Sequence, residues 1–131
     1  MKDLFKRLSG EFSAKQMKNY IKVNVPVIMW VTGGVIELRI NKKDNGFIVY
    51  CPTNFFSEAN AGGSQEFYFN IFERFDKNYH FDITLKNGKF YKSYKEDSNV
   101  VVAINEFIRF FIMLDDFIIN NNVIGREEEY K

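Results

Sequence analysis

The chain predicts an α+β fold with a mostly antiparallel sheet, and three observations carry that prediction. Asn-Gly pairs at 45–46 and 87–88 each stand between two strand-like runs, and Asn-Gly readily supplies the positive backbone angles of a tight hairpin turn. The stretch Ser98 to Asn120, SNVVVAINEFIRFFIMLDDFIIN, drops the two-residue alternation and reads as one long helix. The helices stand beside the hairpins instead of alternating with every strand, so they gather on one face of the sheet. The expected architecture is a five-stranded sheet, with the long C-terminal helix and a second, aromatic helix packed on one face.

In the long helix, Val100, Ile104, Phe107, Phe111, Leu114 and Ile118 recur at three- and four-residue spacing and form one buried stripe. Ser98 is the expected N-cap, since its hydroxyl can accept from the free amides of the first turn, and Asp97 suits the positive end of the dipole. Asn120 to Asn122 are expected to end the helix. Its opposite face carries Asn105, Glu106, Arg109 and Asp116, with Glu106 and Arg109 spaced to pair across one turn. Phe110, Ile112 and Met113 interrupt that polar face, so a second layer of the domain, a partner or a second copy of the chain must cover it.

Length and composition fit this picture. A chain of 131 residues fits one domain, and folding at that size buries roughly two-thirds of the unfolded surface. Fifteen Phe and seven Tyr against two Pro and eight Gly describe a packed globule, not a disordered segment. Eighteen basic and seventeen acidic residues leave a net charge of +1, which gives no broad footprint for nucleic acid and leaves room only for a local basic patch. The single Cys51 cannot form an internal disulfide, which points to a reducing compartment. The N-terminal MKDLFKRLSGEF lacks the apolar region of a signal peptide, and no apolar run reaches the roughly 18 residues of a membrane span. A soluble cytoplasmic protein with no membrane partner is expected.

In chain order, residues 2–8 form a short amphipathic helix with Leu4, Phe5 and Leu8 on one side. The segment EFSAKQMKNY is helix-compatible but weakly patterned, and both a helical turn and an ordered loop fit it. The core, residues 20–120, begins with IKVNVPVIMWV, a branched, alternating strand in which Pro26 implies a sheet edge or a strand end. VIELRI points Ile36, Leu38 and Ile40 inward, and Phe47 to Cys51 returns after the Asn45-Gly46 turn. NFFSEANAGGSQ is a surface loop ending near Gly62-Gly63, and Ser64 caps an aromatic helix through Phe67, Phe69, Ile71, Phe72 and Phe75. In the second hairpin His80, Asp82 and Thr84 alternate with Phe81, Ile83 and Leu85, and KFYKSYK returns. Residues 121–131 read as a polar, mobile tail.

The strand ending in Val25-Pro26, the hairpin IELRI, NKKDNG, FIVY, a helix, the Asn87-Gly88-Lys89-Phe90-Tyr91 hairpin and the closing helix behind Glu96-Asp97 follow one another over Tyr20 to Ile119. That order resembles an uncharacterised family of bacterial and prophage proteins, the domain of unknown function numbered eighteen twenty-eight. Where that family carries an acidic residue before the first hairpin and an acid-rich turn after it, this chain has Thr32-Gly33 and Cys51-Pro52-Thr53-Asn54. The resemblance implies a fold and a phage or mobile-element setting, and no activity.

The candidate sites are few. His80 is the only histidine, so a His-based triad or multi-His metal site is excluded, and a strand-end, solvent-facing role suits it. Cys51 reads as a structural thiol. Glu37-Leu38-Arg39 loosely matches the acid-x-lysine element of metal-dependent nucleases, but arginine stays protonated and makes a poor base, and the nearest acid upstream of Glu37 is Glu11, in the weakly patterned segment. No catalytic residue, metal or cofactor is therefore predicted. Lys86, Lys89, Tyr91, Lys92, Tyr94 and Lys95 mix phosphate partners with rings that stack on bases, and lysines also protect exposed strand edges from aggregation. Phe55 and Phe56 in their loop, with Phe110, Ile112 and Met113 on the helix, are the candidate protein-binding anchors.

By analogy with its setting, the sequence reads as a non-enzymatic phage or mobile-element protein that binds and inhibits a host or defence protein, in the manner of an anti-CRISPR factor. The alternatives are a nucleic-acid-binding module working through the Lys/Tyr hairpin and a degenerate nuclease.

Overall fold

The computed structural model describes residues 2–29, 33–55 and 65–129, with side chains except at 2, 65 and 121–129. Its elements are α1 (Lys2–Ser9), β1 (Ser13–Gln16), β2 (Ile21–Met29), β3 (Gly34–Lys43), β4 (Gly46–Tyr50), α2 (Gln65–Tyr79), β5 (Thr84–Lys86), β6 (Lys89–Lys95) and α3 (Val100–Glu129). The strands form one antiparallel sheet in the order β1-β2-β3-β4-β6-β5. The α+β class, the antiparallel sheet and the long C-terminal helix are as predicted, with six strands in place of five.

The extra strand is β1, in the weakly patterned segment. Its side chains are mostly exposed, so it carries little hydrophobic alternation, and it owes its form to backbone pairing with β2, Ser13 to Asn24 through Gln16 to Ile21. Pro26 consequently lies in an interior strand. The position tolerates it because β1 stops pairing at Asn24 and the β2–β3 register shifts between Asn24 and Ile28, so the missing amide falls at an irregularity in the ladder.

The two Asn-Gly turns differ. Asn87 (φ 53°) and Gly88 (φ 77°) both adopt the left-handed conformation, as a two-residue hairpin requires. At the first hairpin the turn residues are Asp44 and Asn45, and Gly46 already pairs with Lys43 as the first residue of β4. A Cβ on Gly46 would run into the Tyr94 carbonyl oxygen, so glycine is needed there for the close approach of β6.

The inward faces of the strands, with Val23, Leu38, Ile40, Val49 and Phe90 buried, meet the stripe Val100, Ile104, Phe107, Phe111, Leu114 and Ile118 of α3, all at 1% exposure or less. Phe110 belongs to this core and not to the opposite face: it is 1% exposed. Its ring lies 5.1 Å from Phe90, 5.5 Å from Phe81 and 5.6 Å from Phe75, all edge to face, an arrangement worth about 0.5–1.5 kcal/mol per pair beyond burial. The aromatic helix α2 is the second layer that covers this side of α3. Leu8 of α1 is also fully buried, with Leu4 and Phe5 packed against the core.

Three helix boundaries depart from the sequence reading. The cap of α3 is Asn99, whose Oδ1 accepts from the amides of Val101 (2.9 Å) and Val102 (3.2 Å); Ser98 stands one residue too early. The helix runs on through Asn120–Asn122 to Glu129, since asparagine disfavours a helix by only a few tenths of a kcal/mol relative to most residues. Helix α2 ends in a left-handed His80 (φ 51°) whose amide donates to the Asp76 carbonyl at 3.0 Å, so His80 is a helix cap and not a strand residue. Phe81 and Ile83 are buried and Asp82 is exposed, yet residues 80–83 form no ladder. Here the two-residue alternation records burial without a strand. Phe56, Gly62-Gly63 and Ser64 lie outside the described residues.

Candidate nucleic-acid interface

Strand β6 divides the lysine- and tyrosine-rich hairpin between two environments. Successive side chains of a strand point to opposite faces, so Phe90, Lys92 and Tyr94 face the helices while Lys89, Tyr91, Ser93 and Lys95 face outward. Lys92 Nζ lies 2.8 Å from Glu106 Oε1 of α3 and donates to the Phe81 carbonyl at 2.9 Å. The Tyr94 hydroxyl donates to the same carboxylate oxygen at 2.7 Å, and its ring stacks on Phe47 at 5.2 Å. Burial, and then the Glu106 hydrogen bond, raise the Tyr94 pKa far above that of a free tyrosine. Lys92 and Tyr94 are thus engaged by Glu106 on the helix side of the sheet, apart from the outward-facing residues of the same strand. Glu106 spends its carboxylate here instead of on Arg109, whose guanidinium sits 5.5 Å from the Phe81 ring.

The outward half of β6 continues into a longer array. Strand register aligns Lys15, Lys22, Arg39, Tyr50, Tyr91 and Thr84 directly opposite one another across β1, β2, β3, β4, β6 and β5. Directly opposed residues share a face of the sheet, and the buried neighbours Ile21, Leu38, Val49 and Phe90 fix that face as the one away from the helices. Beside this row, Lys43, Lys86, Lys89 and Lys95 are exposed on the same side. Among the described strand residues the only carboxylate is Glu37. The balancing acids lie elsewhere, on α2 (Glu66, Glu73, Asp76), on α3 (Glu106, Asp115, Asp116) and in turns (Asp44, Asp82, Glu96, Asp97). A near-neutral chain therefore presents one strongly basic face.

Arg39 is the fixed point of that face. Its Nε donates to Glu37 Oε2 at 2.7 Å, and its guanidinium lies 4.5 Å from the centre of the Tyr20 ring. The Glu37 hydrogen bond is the largest cause of its raised pKa. Lys22 Nζ approaches the other Glu37 oxygen at 3.6 Å. Glu37, the acid of the nuclease-like Glu37-Leu38-Arg39 element, is accordingly engaged by two cations. Among the described residues no group of three His, Cys, Asp or Glu could hold a metal ion. The chain matches no family model, no curated protein and no solved structure.

The other sequence-derived candidates scatter. Phe55 is buried, edge to face with Phe90 at 5.4 Å, and with Phe110 it leaves the set of protein-binding anchors for the core. Phe56 lies outside the described residues. Ile112 is 47% exposed, and Met113 packs partly against the core. Cys51 is buried, and desolvation raises its pKa. His80 and Asp82 are exposed. No helix is long and apolar enough to cross a membrane among the described residues.

Sequence reasoning missed Lys15, Lys22, Arg39, Tyr50 and Tyr20 because they come from four separate segments. The available signal was the outward parity of Lys22, Arg39 and Tyr50 within their own strands. Only the pairing register brings them into one row.

Proposed function

We propose that this protein is a nucleic-acid-binding module that holds its ligand on the outer face of the sheet. The observation that carries this reading is the segregation of charge: among the described strand residues seven of nine cations, all but Lys42 and Lys92, lie on one open face with a single carboxylate, while the other acids occupy helices and turns. Such a face attracts phosphates through release of their counterions, and its affinity must fall as salt rises. Tyrosines beside the cations suit a ligand with exposed bases. The reading as an inhibitor of a host or defence protein has the exposed Ile112 in its favour and lacks Phe55 and Phe110, which makes it the weaker of the two.

The test is a salt titration of binding to a labelled oligonucleotide, comparing the native chain with the triple variant Lys22→Glu, Lys89→Glu, Lys95→Glu. The native chain should lose affinity linearly in log salt. Each phosphate contact removed should flatten the slope by about 0.7 for a single strand. Binding that ignores salt, or that the triple variant leaves unchanged, overturns the proposal.

A further inference from the structure

We propose further, resting on the reading above, that the ligand is an unpaired strand lying across the row, with bases stacked on Tyr50 and Tyr91 and phosphates directed to Lys22 and Lys15. The row is ordered by chemistry: rings occupy β4 and β6, the guanidinium β3, and the ammonium groups β2 and β1. A single strand has the matching asymmetry, since it offers the faces of its bases on one side and its phosphates on the other. Every base has a π-face, so stacking on the two tyrosines tolerates any sequence.

The dimensions exclude groove reading by this face. Six strands spaced about 4.8 Å apart span roughly 24 Å, whereas the major groove of a duplex is about 12 Å wide and admits a helix or a two-stranded ribbon. A duplex could touch this surface only through its backbone, leaving both tyrosines idle.

Arg39 adds a preorganised element. Glu37 and Tyr20 already hold its guanidinium, on the strand between the rings and the lysines, so binding need not freeze a flexible side chain. A fixed guanidinium plane also stacks on bases. Tyr91, in contrast, makes no ring contact with a neighbour among the described residues, and it is half-buried on the outward face of β6.

The experiment measures affinity for a short single-stranded oligothymidine and for a duplex of equal length at one salt concentration. The wild-type chain is compared with Tyr50→Leu, Tyr91→Leu and the matching Tyr→Phe variants. Each Leu variant should lose about 5- to 150-fold for the single strand, the range that one base stacked on a ring supplies, and each Phe variant should retain it. Photo-crosslinking of the wild-type chain, which raises no question of folding, should label Tyr50 and Tyr91. Duplex bound as tightly as single strand, Leu variants without loss, or crosslinks elsewhere would overturn the stacking proposal while leaving a phosphate-binding face intact. Binding only to vesicles of anionic phospholipid, and to no nucleic acid, would overturn both.

Discussion

The two faces of strand β6 are built from the same residue types and have opposite fates. Lys92 and Tyr94 point toward α3 and close on Glu106, whereas Lys89, Tyr91 and Lys95 point away and meet no helix. A lysine turned inward must find a carboxylate, because an unpaired charge there would forfeit its hydration. A lysine turned outward keeps its water and remains available to a ligand. Composition alone therefore does not tell the engaged side chains of a strand from the open ones; parity does.

That contrast can be broken by substitution, and the largest effect lies deepest on the inward side. Phe110→Ala should destabilise the protein by about 3–5 kcal/mol, because the cavity opens among Phe75, Phe81 and Phe90 where the rings cannot all close in. A denaturant titration reads this as a lower midpoint. Next comes Lys92→Ala, which leaves the half-buried Glu106 without its cation and should cost about 1–2 kcal/mol. Lys89→Ala, three residues away on the other face, should stay within about 0.5 kcal/mol of the native chain. Equal losses for the two lysines would erase the distinction between the faces.

A smaller effect is expected from Tyr94→Phe, which keeps the stacking on Phe47 and removes the hydrogen bond to Glu106, for about 1 kcal/mol. It also carries a pH signature. The folded protein holds the Tyr94 proton to higher pH than the unfolded chain does, and a free tyrosine titrates near about 10. This part of the stability is therefore complete below that pH and declines above it as the unfolded chain ionises first. Denaturant midpoints taken from neutral to alkaline pH should fall less steeply for Tyr94→Phe than for the native chain. An effect as small as that of Lys89→Ala is expected from Ile112→Asp on the exposed side of α3, which should leave a folded protein within about 0.5 kcal/mol of the original. Unfolding by that variant would mean that Ile112 is held in the core.

Much of the fold was legible because its signals are local. The α3 stripe, the inward set of β3 and the Asn87-Gly88 turn each follow from a few neighbouring residues. Strand β1 was not legible, since its four residues are held by backbone pairing and bury little. Phe110 was misplaced because a helix enclosed on two sides buries more than one stripe, and the covering aromatics of α2 come from a distant segment. His80 and Asp82 lay in an alternating run, but left-handed backbone angles at both make the alternation a property of a packed loop. Half of the candidate site, Tyr91 with Lys89 and Lys95, was visible in one hairpin. The other half required strand order and register, which no local pattern encodes.

The most direct test of the account is a heteronuclear NMR titration of the native protein with a short oligothymidine, following side-chain as well as backbone signals. Shifts should concentrate at Lys22, Arg39, Tyr50 and Tyr91 on the outer face, with Lys92, Tyr94 and the α3 residues around Ile112 unmoved. Shifts centred on Ile112, or none at all, would contradict the claim that the open basic face of the sheet is where this protein works.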